Sequence, residues 1–101
     1  MRIVGRPILN ECTRKHADVR GPLRAWCADI EGASWETPLD ITAHYATASI
    51  IGGKCVVFNV KGNSYRIVVK INYKLGVIKI LFADTHDEYD KTDVARLCGG
   101  S

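Results

Sequence analysis

The chain has few of the features that mark a metalloprotein, a secreted scaffold or a membrane protein. Its four cysteines (Cys12, Cys27, Cys55 and Cys98) are scattered and form no CxxC pair. That spacing argues against structural zinc and supplies no disulfide framework. Each cysteine is therefore expected as a small buried apolar side chain in a reducing compartment. No apolar stretch approaches the roughly 20 residues of a membrane span, and the opening MRIVGRPILNEC lacks the apolar core of a signal peptide. A cytoplasmic protein without membrane association is expected. Acidic residues are missing altogether from Lys54 to Phe82, where Lys54, Lys61, Arg66, Lys70, Lys74 and Lys79 stand. They return at once in Asp84, Asp87, Glu88, Asp90 and Asp93. A basic region thus meets an acidic one, although the net charge is only +3. A length of 101 residues suits one core, so a single domain over 1–101 is expected.

What is present divides into a helical first half and a stranded second half. A short edge strand is expected at Arg2 to Val4. Pro7 then suits the first turn of a helix carrying Ile8, Leu9 and Cys12 on one face. Leu23, Trp26, Cys27 and Ile30 follow the i, i+3, i+4, i+7 spacing of a second helix, with Gly32 at its stop. Thr37-Pro38-Leu39-Asp40 has the form of a capping box opening a short helix toward Tyr45. Trp26 and Trp35 are expected in the core. Strands are expected at Lys54–Val60, Asn63–Tyr73 and Gly76–Ala83, with tight turns at Lys61-Gly62 and Lys74-Leu75. Thr85-His86-Asp87-Glu88 repeats the capping-box pattern and opens a helix toward Leu97. Helices followed by an antiparallel meander make an α+β domain.

Side chains alternate across a strand, so two-residue turns would sort the sheet into two faces. Phe58 would then oppose Tyr65, and Ile71 would oppose Ile78. Val56, Phe58, Val60, Tyr65, Ile67, Val69, Ile71, Ile78, Ile80 and Phe82 would share the packing face. Cys55, Val57, Asn59, Ser64, Arg66, Val68, Lys70, Lys79, Leu81 and Ala83 would share the other. There Lys70 meets Lys79 directly, a like-charge pair that is unfavourable unless an anion joins it. A solvated outer face kept charged against aggregation would carry lysines too. Arg66 points further, because a planar guanidinium suits bidentate phosphate contact. His86 and Tyr89, at i and i+3 on a helix start, point the same way. Cleaving RNA without metal needs a base, a cation for the phosphate and a proton donor for the leaving oxygen. His86, Tyr89, Arg66 and Lys61 could fill those roles. By composition alone, His86 reads equally as a cap residue and Tyr89 as a core aromatic.

The stretch FNVKGNSYRIVVKINY followed by THDEYDK resembles the HigB-type toxins of bacterial toxin–antitoxin pairs. The matching positions are Phe58, Asn59, Gly62, Asn63, Tyr65 and Arg66, then Thr85, His86, Glu88, Tyr89 and Asp90. The Trp26 helix and Trp35 fit the same family, and the likeness covers roughly Met1 to Asp93. It implies a RelE/ParE-like fold, with N-terminal helices packed on one face of an antiparallel β-sheet and a short C-terminal helix. It also implies a ribosome-dependent endoribonuclease that cuts translated mRNA and uses no metal or other cofactor. The implied partners are the ribosome and mRNA, a helix-turn-helix antitoxin of the HigA type, and operator DNA only through the antitoxin complex. By matched position, Arg66, His86 and Tyr89 form the implied catalytic set. Asn59, Lys61, Asn63, Lys70 and Lys79 are the expected RNA contacts. Lys61 departs from the family, many of whose members carry glycine there. A fold-mate that poisons gyrase, as ParE-like toxins do, is the alternative, and fold alone does not choose between the two.

Overall fold

The computed structural model describes residues 1–52 and 54–99. The single domain expected over 1–101 takes in residues 53, 100 and 101, which lie outside the described set. Pro7 stands in the first turn of α1 (Arg6–Lys15), where its missing N–H costs nothing. Gly5 caps that helix with φ 89°, and a Cβ there would lie 2.9 Å from the Ile80 carbonyl oxygen. Only glycine lets α1 seat this close to the sheet. A single 3-10 turn, Ala17–Val19, leads into α2 (Arg20–Glu31), which buries Leu23, Trp26, Cys27 and Ile30 as their spacing predicts. Helix α3 (Pro38–His44) begins at Thr37, and Asp40 Oδ2 accepts the backbone N–H groups of Glu36 and Thr37 at 2.8 and 3.1 Å. Those bonds hold the Asp40 carboxyl below its usual pKa.

The strands are β1 (Arg2–Val4), β2 (Ser49–Ile51), β3 (Cys55–Val60), β4 (Tyr65–Asn72) and β5 (Val77–Thr85), in the order β1-β5-β4-β3-β2. All pairs are antiparallel except β1 with β5. Strand β2 was not expected, being three residues long and carrying no alternation to read. The architecture is α+β, with N-terminal helices against a five-stranded, mostly antiparallel sheet and short helices at the C-terminal end. Among the described residues no helix is long and apolar enough to cross a membrane.

The register departs from expectation in two places. The β3–β4 loop spans four residues, so Phe58 pairs with Ile67 and Val60 with Tyr65. An even loop length preserves the sorting of faces. The pairing of Ile71 with Ile78, and of Lys70 with Lys79, is as expected. Beyond Ile80 an irregularity opposite Val68 and Val69 shifts β5 by one residue, so that Val68 pairs with Phe82 and Ile67 with Ala83. A bulge of this kind flips every later side chain. Ala83 therefore joins the core and Phe82 turns outward, the reverse of the expected placement. Strand β5 also runs on to Thr85, so the sheet contains a carboxylate, Asp84.

Phe58 is the centre of the core. It is fully buried, and the rings of Trp26, Trp35 and Tyr45 lie 5.4, 6.0 and 5.2 Å from it. The expected C-terminal helix is two helices, α4 (His86–Asp90) and α5 (Val94–Gly99). Thr85 Oγ1 caps the first through Glu88 N–H, and Asp93 Oδ1 starts the second by accepting Arg96 N–H. Cysteine chemistry is the larger correction. Cys12 and Cys27 are buried free thiols as expected, but Cys55 and Cys98 form a disulfide. Spacing in the chain could not reveal it, because the partners are 43 residues apart and meet only when the C-terminal segment returns across the sheet. Closing a loop of that length removes chain entropy from the unfolded state worth about 4 kcal/mol.

Phe58→Ala should lower stability by about 3–5 kcal/mol, the range for deleting a fully buried aromatic ring. Urea unfolding at unchanged m-value measures it. A loss below about 1 kcal/mol would mean that the three surrounding rings close over the cavity.

Candidate active site

The β3–β4 loop is built on left-handed backbone, with φ 54° at Lys61 and 65° at Gly62. Asp18, from the 3-10 turn, reaches up to this loop. Its carboxylate accepts Lys61 Nζ at 2.6 Å and Tyr65 Oη at 2.7 Å. The bond from Lys61, then that from Tyr65, holds the Asp18 carboxyl below its usual pKa. Burial, reinforced by the bond to Asp18, pushes the Tyr65 phenol up to about 12. Lys61 is thus drawn toward the helical layer. Asp84, the cross-strand partner of Arg66, makes a second tie at the same end, holding His16 Nε2 at 3.2 Å and Lys15 Nζ at 3.8 Å. Sequence reasoning missed Asp18, Asp84 and His16 as supports, because each meets its partner only through the fold.

On the opposite face Arg66 is the organising side chain. Its Nη2 donates to Asn63 Oδ1 at 3.3 Å, and its guanidinium carbon lies 4.9 Å from the centroid of the Tyr89 ring. The Tyr89 ring in turn meets the edge of Phe82 at 6.3 Å. The bulge in β5 is what turns Phe82 outward to do this. Arg66 Nε and Asn59 Oδ1, on residues paired across β4 and β3, are buried without hydrogen-bond partners. Asn59 Nδ2 donates to the Thr47 carbonyl at 3.2 Å, which fastens the segment before β2 to the sheet.

His86 stands at the same end of β4. Its backbone N–H donates to the Ser64 carbonyl at 2.9 Å, tying the start of α4 to the hairpin loop. Its Nδ1 lies 3.2 Å from Asp90 Oδ2. With Nδ1–H donated to Asp90, Nε2 of the neutral ring is left as an acceptor. The ring borders an open cleft of about 330 Å³ lined by Asp18, Ser64, Tyr65, Thr85 and Asp87. No hydrogen bond, ion pair or ring contact joins His86 to Arg66 or Tyr89 among the described residues. His86, Asp87 and Asp90 also bring one ligand atom each within 4.8 Å of the others, the only such group among the described residues. At the far end of the same sheet face, Lys54, Lys70 and Lys79 line a pocket of about 240 Å³ with Val4, Ile71 and Val77. Of the expected site residues, Arg66, Asn63 and Tyr89 are in contact. His86 is adjacent through the backbone, Asn59 is paired with Arg66, and Lys70 and Lys79 stand apart.

Residues 19–92 match the family model of HigB toxin, the RelE-like toxic component of a toxin–antitoxin system. The chain belongs to the HigB toxin family. No curated protein matches it. The matched span of this HigB toxin holds every expected site residue, and it ends before α5 and Cys98. As a toxin component it implies a cognate antitoxin.

Lys61 is the position where strain and pairing compete. Left-handed backbone costs a non-glycine residue about 1–2 kcal/mol, whereas an exposed ion pair contributes little. Lys61→Gly should therefore leave the urea midpoint unchanged or raise it. The depressed Asp18 carboxyl stabilises the fold above its ordinary pKa, and that contribution is lost as pH falls through the lower folded value. In Lys61→Gly, the Asp18 titration followed by carboxyl NMR should move up toward the ordinary range. A lowered midpoint with an unmoved Asp18 would show that the ion pair does not act as described.

Proposed function

We propose that this HigB toxin is a ribosome-dependent endoribonuclease that cleaves mRNA during translation and is neutralised by a helix-turn-helix antitoxin of the HigA type. Operator DNA is bound only through that toxin–antitoxin complex. The observation that carries the reading is the Arg66 guanidinium. Asn63 orients it, Tyr89 covers its face, and it stands on a sheet face that continues into Lys70 and Lys79. A cation positioned before the substrate arrives stabilises developing phosphate charge without reorganising.

The roles follow from the side chains. RNA cleavage begins when the 2′-oxygen attacks phosphorus and gives up its proton. His86 accepts that proton at Nε2, while Asp90 holds Nδ1–H and steadies the imidazolium that forms. Arg66 balances the charge on the five-coordinate phosphate. Tyr89 positions the reacting nucleotide beside it or shares the proton delivered to the departing 5′-oxygen. Asn59 and Asn63 hold the hairpin in shape, and Lys70 and Lys79 receive phosphates further along the strand. Lys61, held by Asp18, serves the loop rather than the RNA. The ribosome supplies the mRNA in an extended form that can be laid along the Arg66 face.

Arg66→Ala should slow cleavage about 100- to 1000-fold, equivalent to about 3–4 kcal/mol, with the fold intact because Arg66 lies outside the core cluster. Primer extension on mRNA from induced cells reads the outcome as lost 5′ ends. Discrete ends at the wild-type rate from a folded Arg66→Ala protein would end this assignment. Broken DNA with intact transcripts for the wild type would favour a gyrase poison instead.

His86→Gln keeps polarity and most of the size but cannot titrate. Loss of a general base costs about 10²- to 10⁴-fold, so single-turnover cleavage should fall by that factor while ribosome binding persists. Full single-turnover cleavage would make His86 a structural residue of α4.

A further inference from the structure

The face that carries Arg66 is not open along its length. Cys55, Val57 and Val68 lie on it and are buried, yet they are not part of the core cluster on the helical side. The C-terminal segment is anchored to this face at two points. Tyr89 closes over Arg66 and Phe82 at one end, and Cys98 is bonded to Cys55 at the other. Along β4 the two anchors are Arg66 and Lys70, since Lys70 is the cross-strand partner of Cys55. The disulfide therefore fastens the segment between the guanidinium and the lysine pocket.

The outer anchor joins β3 to a short helix. Helix α5 is six residues long and buries none of them fully. A helix that short is unstable unless tertiary contacts hold it. Cys98 is half-buried and Cys55 only 3% exposed, so Cys98 is the more accessible residue of the bonded pair. The other two cysteines lie in the helical layer, and burial pushes the Cys12 thiol up to about 11 and raises that of Cys27. They are poor partners for exchange.

We propose that Cys55–Cys98 is a thiol–disulfide exchange site for a dithiol reductant, and that its reduction frees α5 and uncovers the sheet face between Arg66 and the Lys54–Lys70–Lys79 pocket. One thiolate of the dithiol attacks Cys98 Sγ, the Cys98–Cys55 bond breaks, and Cys55 leaves as thiolate and takes up a proton. The second thiolate of the reductant then attacks its own sulfur in the mixed disulfide and releases Cys98. Two electrons pass to the protein, and the reductant departs as a cyclic disulfide. The oxidised toxin is the covered form and the reduced toxin is the open one. That the uncovered face takes RNA rests on the function proposed above.

The test compares oxidised protein, protein reduced with dithiothreitol, and Cys98→Ser. Alkylation after denaturation should count two thiols in the oxidised form and four in the reduced form, as the pairing requires. Hydrogen exchange should show α5 and the β3 backbone near Cys55 losing protection in the reduced and Cys98→Ser proteins. A single-stranded oligouridylate should bind those two forms at least about tenfold more tightly than the oxidised form, as when fewer than one molecule in ten is open. Unchanged exchange on reduction, or four thiols before reduction, would overturn the proposal. Equal and tight oligouridylate binding in all three forms would overturn the gate while leaving the nuclease reading intact. Redox-dependent exchange with no oligouridylate binding in any form would uphold the exchange site and refute RNA as the ligand.

Discussion

Alternation along β4 is the constraint on which the rest of this toxin depends. The strand is the middle one of five and is paired on both edges, so its register cannot slip without breaking two ladders. Tyr65, Ile67, Val69 and Ile71 face the helices and belong to the core, while Arg66, Val68 and Lys70 face the other way. One strand thus couples stability to chemistry. The packing of its inner residues is what holds the outer guanidinium in place.

The bulge in β5 adjusts this arrangement where it matters. One extra residue opposite Val68 and Val69 exchanges the faces of Phe82 and Ala83. Outward, Phe82 gives the Tyr89 ring an edge to rest on, and Tyr89 in turn covers Arg66. Without the bulge, Phe82 would add its ring to the core and Tyr89 would lose that support. Bulges recur beside functional sites for this reason: they re-aim a side chain at the cost of one pairing.

Two acidic residues from outside the hairpin complete the frame. Asp18 gathers Lys61 and Tyr65, and Asp84 gathers His16 and Lys15, so the helical layer grips the end of the sheet where β4 begins and β5 finishes. Asp84 is also the cross-strand partner of Arg66, so one of these bracing carboxylates stands opposite the guanidinium residue in the sheet.

Local pattern determined the helix around Leu23–Ile30 by its periodicity, the helix after Thr37 by its capping box, the three long strands, and, with a tight turn, the opposition of Lys70 to Lys79. Those features depend on local spacing, which the order of residues contains in full. The paired motifs around Asn59–Arg66 and Thr85–Asp90 also identified the family, and the match over residues 19–92 agrees. The bulge at Leu81, the short strand β2, the division of the last helix and the Cys55–Cys98 bond were decided only by tertiary structure. Each depends on which distant groups the fold brings together: Val68 against Phe82, Val57 against Ser49, and Cys98 against a strand 43 residues earlier. Local patterning encodes which way a side chain points, and only the closed chain encodes what it meets.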